Sequence, residues 1–193
     1  VTLVESGSVG FLGAQWGRWA GSGVSVDTGN VTTGGSFAWA HSPNTAPLVD
    51  IDSLSGTATY TNFSGPSPVG AQTSGWSVAG LGISLDFDIL SGDAGVTGAF
   101  LDLTGGTGTL ASLGYSGTPV DISGGADGAG FQLTLTESAG PDEGNLQASF
   151  ISDGGAISSS SDIGMIIDFE ARDIQGATLE DTVRGVQIVE PPS

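Results

Sequence analysis

Leu81-Gly82-Ile83-Ser84-Leu85-Asp86-Phe87-Asp88-Ile89 is the stretch that decides the fold. Its odd positions are apolar, and Gly82, Ser84, Asp86 and Asp88 fall between them. Successive side chains of an extended chain leave opposite faces, so a period of two describes a strand with one face in a core and the other in water. The pattern recurs down the chain. Phe131, Leu133 and Leu135 alternate with Gln132, Thr134 and Thr136, and Leu146, Ala148 and Phe150 with Gln147 and Ser149. Ile163, Met165, Ile167 and Phe169 alternate with Gly164, Asp168 and Glu170, with Ile166 the single exception. Shorter alternations lie at 58–60, 99–103, 111–115 and 120–122. The last strand, 183–189, changes phase near Gly185, where a bulge is expected. No eleven-residue window carries a helical stripe, and so much glycine, serine and threonine disfavours helix.

Turn chemistry separates the runs: Ser91-Gly92-Asp93, Gly105-Gly106, Gly124-Gly125, Ala139-Gly140-Pro141-Asp142 and Asp153-Gly154-Gly155. Glycine, asparagine and aspartate supply the positive φ that hairpins need. The regular spacing and short connections predict an all-β, antiparallel, up-and-down β-barrel of roughly eight strands, a form that leaves no open edge. A two-sheet sandwich produces the same alternation and is the structural alternative. In either case the apolar faces should point inward and the aspartates outward.

The first fifty residues differ in character. They hold Trp16, Trp19 and Trp39, with candidate strands at 11–20, 23–26 and 36–41, and a proline-containing loop from Ser42 to Pro47. The expected organisation is a small tryptophan-rich β flap at 1–54, the barrel at 55–190 and a tail at 191–193.

Composition excludes several functions. The chain has 193 residues, three Lys+Arg, twenty-one Asp+Glu and a net charge of -18. With no lysine at all, it lacks the clustered cations that neutralise phosphates, so nucleic acid is not an expected partner. No apolar run approaches the roughly eighteen residues of a membrane helix, and a spanning role is not expected. The absence of cysteine removes disulfides, thiolate nucleophiles and sulfur-based zinc sites. The chain begins at Val1 with no signal-peptide pattern, which fits an excised or processed part of a larger chain or complex.

Catalytic constellations are sparse. His41 is the sole histidine, next to Ser42 and Pro43, with no GxSxG elbow to serve. Asp86/Asp88 and Asp50/Asp52 are same-face carboxylate pairs, a spacing open to a glycosidase but more typical of a solvated strand face. Asp121, Asp127, Asp142, Glu143 and Asp153 lie in or near turns, yet no DxDxDG loop unites them for calcium. No catalytic residue, metal site or cofactor is expected. The unusual string is Gln15-Trp16-Gly17-Arg18-Trp19. On a strand, Trp16 and Arg18 share one face and Trp19 takes the other. Arg18 is placed to stack on an indole or to pair with a carboxylate. Exposed tryptophans make a sugar- or protein-binding surface, whereas packed ones are core. Trp16, Arg18, Trp19 and Trp39 are the candidate ligand- or partner-binding residues.

In order, the Trp16-Gly17-Arg18-Trp19 string, Phe37-Ala38-Trp39-Ala40-His41, and Ser55-Gly56-Thr57-Ala58-Thr59-Tyr60 resemble the C-terminal region of bacterial FecR-domain proteins. They also resemble the related transferrin-binding-protein-like β-barrel of surface lipoproteins. The likeness continues through Val96-Thr97-Gly98-Ala99-Phe100 and Val183-Arg184-Gly185-Val186, covering about residues 11–189. It implies a barrel with a preceding β element, an extracytoplasmic location in the periplasm or at the cell surface, and binding of a protein or small ligand rather than catalysis. The FecR sensory domain and the lipobox cysteine are missing, so neither iron signalling nor transferrin capture is carried over. Two other functions remain open: a passive module of a larger adhesin or matrix protein, and a carbohydrate-active hydrolase.

Overall fold

A computed structural model describes residues 2–21, 36–71, 75–90, 93–105, 112–125, 128–138, 140–175 and 178–192. The expected strand at 23–26 and Asp127 lie outside them. The described chain forms two antiparallel sheets. The first contains β1 (Thr2–Val9), β2 (Ala14–Ala20) and β3 (Ser36–His41), in that spatial order. The second is built from β4 (Thr57–Tyr60), β5 (Phe63–Ser64), β6 (Val69–Gly70), β7 (Ser77–Leu90), β8 (Asp93–Thr104), β9 (Leu113–Tyr115), β10 (Val120–Asp121), β11 (Ser123–Gly125), β12 (Gly128–Glu137), β13 (Glu143–Ser152), β14 (Ile163–Gln175) and β15 (Thr178–Val189). Hydrogen-bonded neighbours run β4-β7-β8-β9-β12-β13-β14-β15-β5, with β10 on β8, β11 on β12 and β6 on β15. The all-β, antiparallel expectation holds. Among the described residues the path of pairings is not a closed ring, however: it ends at β4 and β5, which only Thr61 and Asn62 separate.

Alternation correctly assigns the inner face. Leu81, Ile83, Leu85 and Phe87 of β7 are buried in one cluster with Leu133 and Leu135 of β12, Leu146 and Phe150 of β13, and Met165 and Ile167 of β14. Phe131 and Phe150 meet edge to face there, with ring centroids 5.9 Å apart. In β8 the buried phase moves from Ala94 and Val96 to Ala99, Leu101 and Leu103. The β7–β8 register shifts between Ser84 and Leu85, so an extra residue keeps both halves facing inward.

The bulge expected at Gly185 is absent. Register between β14 and β15 is unbroken from Asp181 to Val189, and the shift falls at Asp173/Ile174 instead. Gly185 lies opposite Phe169, and a Cβ there would sit 2.4 Å from the Phe169 ring, so glycine makes room for the aromatic. The apparent change of phase has another source. Val186 and Ile188 face outward yet are buried; Ile188 packs against Val9, Leu12 and Ala14, so the first sheet covers it. Ile166, the exception in its own strand, packs against the same small cluster.

The aspartates do not all point outward either. Asp142, Asp173 and Asp181 are buried, and Asp173 opposes Asp181 across the strands. The register shift frees a backbone N–H that the ladder would otherwise use, and Ile174 N donates to Asp142 Oδ1 at 2.8 Å. Trp76 Nε1 donates to Asp181 Oδ2 at 3.2 Å. Buried carboxylates thus satisfy one backbone donor at the irregularity and one indole donor, as buried polar groups require.

Between the sheets, residues 44–46 enter the large sheet where β12 and β13 diverge. Ala46 N donates to Phe150 O at 3.0 Å, and Ala129 N donates to Ala46 O at 2.9 Å. Thr45 forms a bridge to Ile151. A four-residue helix, α1 (Leu48–Ile51), follows Pro47, and Ala46, Ile51 and Leu54 are buried in the main core.

Candidate functional site

The first sheet docks through the face that carries Ala14, Trp16 and Arg18. Val9, Leu12 and Ala14 pack with Ile151 and Ile188 in a second cluster, with Trp16, Ala40 and Ile166 at its margin. Two glycines make the fit. Trp16 lies over Gly7, its cross-strand partner, and Leu12 fills the notch left by Gly164, where a Cβ would come within 2.5 Å of its Cδ1. Of the two partners expected for Arg18, the structure shows a carboxylate: Nη2 donates to Glu5 Oε1 at 2.8 Å. The same carboxylate accepts Ser67 N at 2.7 Å and Ser67 Oγ at 2.9 Å. This group clamps β1 and β2 to the loop between β5 and β6. Partial burial would raise the Glu5 pKa, but the Arg18 guanidinium and the Ser67 donors outweigh it and hold the carboxyl below its usual range.

Trp19, Phe37 and Trp39 occupy the opposite face. Trp19 stands directly across from Phe37, and Trp39 lies across Gly17. Trp19 is 37% exposed and Leu3, its partner on β1, 42%. The Trp39 indole is half-buried, and its Nε1 has no hydrogen-bond partner among the described residues. The four candidate residues therefore separate: Trp16 and Arg18 hold the sheet down, whereas Trp19 and Trp39 belong to its outward side.

Sequence reasoning missed a groove of about 900 Å³ that opens beside the edge of β3. Ser36, Phe37 and Ala38 form one wall, and residues 69–71 of the β6 region another. Its floor is the outward face of β12 to β15, ordered in two rows by the strand register. Gln132, Gln147, Asp168 and Val186 lie side by side in one. Asn145, Glu170 and Arg184 form the next. Asp168 is exposed and makes no hydrogen bond or ion pair with another described residue, and desolvation by the surrounding strands pushes its carboxyl above the usual range. Glu170 is the reverse case. Burial would raise it, but Arg184 donates to Oε2 from Nε at 2.8 Å and Arg172 to Oε1 at 3.1 Å, which holds it below. These residues read in sequence as solvated strand faces; only the register aligns them.

The remaining candidates have structural partners. His41 is exposed at the end of β3 opposite Gln15, while Ser42 Oγ donates to Asn44 O at 3.0 Å. Asp86 accepts Asp88 N at 2.9 Å, and Asp88 accepts Gly56 N at 2.7 Å. Asp153 accepts Gly155 N at 2.7 Å within its own turn. Among the described residues no three His, Asp or Glu groups converge on a shared metal position, and no helix is long and apolar enough to cross a membrane. The chain matches no protein-family model, no curated protein and no solved structure.

Proposed function

We propose that the protein is a non-catalytic binding domain of the bacterial envelope or cell surface that engages a partner protein or ligand through its N-terminal sheet. One observation carries this reading: the outward face of that sheet presents Trp19, Phe37 and Trp39 together. A small sheet with one face packed is expected to be polar on the other. Here docking already has its own apolar cluster and its own ion pair on the inner face. Stability does not account for an exposed tryptophan beside a phenylalanine on the outer face, whereas contact with a partner does, since aromatic side chains dominate binding surfaces. A passive module has no use for Trp19 in that position.

The chemistry of the groove speaks against hydrolysis. Glycoside cleavage uses two carboxylates, one as acid and one as base or nucleophile. Both oxygens of Glu170 are engaged by Arg172 and Arg184, which leaves Asp168 as the sole unpaired carboxylate among the described lining residues. The extracytoplasmic location rests on the FecR-like strings alone. The closed barrel implied by that resemblance is supported by the segment 57–64, whose first half pairs with β7 and whose second pairs with β15. Glu190 N also donates to Asn62 O at 2.8 Å. We read this segment as the strand that joins the two ends of the sheet.

The test is native affinity electrophoresis through gels that contain, separately, a neutral polysaccharide, a polyanionic polysaccharide and a protein hydrolysate coupled to the matrix. Retardation in at least one that disappears in Trp19→Ala supports the reading. Equal mobility of wild type and Trp19→Ala in all three gels refutes it in favour of the passive module.

A further inference from the structure

We propose that the groove between β3 and the outward face of β12 to β15 is a second binding site, built for a neutral oligosaccharide. It is centred on the polar floor of β12 to β15 and shares only Phe37, at its border, with the aromatic face; neither Trp19 nor Trp39 lines it, and neither site requires the other. Its volume of about 900 Å³ lies within the roughly 300–1,000 Å³ typical of small-molecule sites.

The floor decides the ligand class. Gln132, Gln147 and Asn145 each offer an amide that donates and accepts, and Asp168 offers an acceptor. A sugar hydroxyl donates one hydrogen bond and accepts others, so a mixed amide and carboxylate surface matches a polyol on both counts. The groups stand on adjacent strands of one sheet, at intervals of about 4.8 Å across and about 6.8 Å along, and a hydrogen-bonded sheet keeps such spacings fixed before the ligand arrives. Phe37 in the facing wall supplies an apolar ring for the C–H face of a pyranose.

Charge removes the competitors. The Glu170 carboxylate is neutralised by Arg184 and Arg172, leaving Asp168 as the unpaired charge in the described lining. Phosphorylated, sulfated or uronic acid ligands would meet that carboxylate and the field of a chain carrying -18. A hard cation wants about six to eight oxygen ligands and prefers several carboxylates, and this floor has one free. A lipid tail would strand the amides without partners.

The experiment uses the whole chain. Its mobility is measured in native gels containing soluble neutral glucan, mannan or galactan, with a polyuronate gel as control, for wild type, Gln147→Ala, Asp168→Ala and Asp168→Asn. Thermal melts establish that each variant is folded. Wild type should be retarded by a neutral polysaccharide and not by the polyuronate. Gln147→Ala and Asp168→Ala should each weaken the affinity roughly tenfold, as loss of a ligand-facing hydrogen bond does. Asp168→Asn, which keeps an acceptor and removes the charge, should stay much closer to wild type. Three results overturn the proposal: no retardation by any neutral polysaccharide, retardation by the polyuronate alone, or neutral-glycan affinity that Gln147→Ala and Asp168→Ala leave unchanged. If Trp19→Ala abolishes binding while the groove variants do not, the aromatic face stands and the groove falls.

Discussion

Replacing Arg18 with alanine tests how the two sheets are held together. The guanidinium bonds Glu5 Oε1 at 2.8 Å, and the two side chains are 24% and 27% exposed. A hydrogen bond to a charged group contributes about 1.5–3 kcal/mol when well shielded, and partial exposure brings that down to about 1–2 kcal/mol. Two facts bound the figure from above. After truncation Glu5 still accepts Ser67 N and Ser67 Oγ, so its charge is not orphaned, and the loss should stay below the roughly 3–5 kcal/mol of a broken, fully buried pair. Arg184→Ala is the control. Its side chain is 56% exposed, and Glu170 keeps Arg172, so the loss should be about 0–0.5 kcal/mol. Urea denaturation of both variants, followed by tryptophan emission and by circular dichroism, gives the comparison. Because the clamp joins β1 and β2 to the large sheet, the Arg18→Ala transition should move earlier in tryptophan emission than in circular dichroism. The pH dependence adds a check. The Glu5 pKa is depressed in the folded state, so its contribution is present above the ordinary glutamate value and is lost as pH falls through the lowered one. Arg18→Ala should flatten that acid limb. An Arg18→Ala loss no larger than that of Arg184→Ala would refute the clamp.

Other expectations concern the core, the last strand and the charge. Gly185→Ala forces a Cβ to 2.4 Å from the buried Phe169 ring and should cost about 1–3 kcal/mol, whereas Gly82→Ala meets the Phe100 ring at 2.2 Å but should cost less, because Phe100 is 38% exposed and free to swing away; equal losses in thermal melts would contradict this. Deleting the residues after Arg172 removes β15 and with it Val183, Ile188 and Val189, each contributing about 1.5–3 kcal/mol against a typical total of about 5–15 kcal/mol; a soluble product with an unchanged melting temperature would refute the dependence. Asp168 has a raised pKa, so its ionised form destabilises the fold above that value and the penalty disappears as pH falls through it. Asp168→Asn should therefore raise the melting temperature slightly at pH 7, the effect being screened at this exposed position, and lose this advantage in acid. Several hundred millimolar sodium chloride should also raise the melting temperature by screening the -18 net charge, and millimolar calcium should do no more than sodium chloride of equal ionic strength.

Period two was enough to assign the inner face of β7, β12, β13 and β14, because each strand states its own orientation. It failed where a second layer intervened. Ile188 and Ile166 look like errors of phase in a one-faced strand, and they become regular once the N-terminal sheet covers the outside of β14 and β15. Nothing local announces that cover. The same holds for Asp142, Asp173 and Asp181, whose burial follows from a register shift between two strands and not from their neighbours in sequence. Of the candidate site, the division of Trp16 and Arg18 from Trp19 was legible, since it needs only strand alternation. The groove was not: Gln132, Gln147 and Asp168 become a row only through two independent pairings.

The seat of Leu12 has a consequence for the making of the protein. It is formed by Gly164 and Ile188, which leave the ribosome long after Leu12 itself. At about 5–20 residues per second, roughly 8 to 35 seconds separate the two ends of this contact. During that interval Val9, Leu12, Ala14 and Trp16 form an apolar strip with nothing to cover it. A nascent chain in this state is a natural client for holdase chaperones. The N-terminal sheet is made before its seat and is among the last parts of this fold to be locked in place.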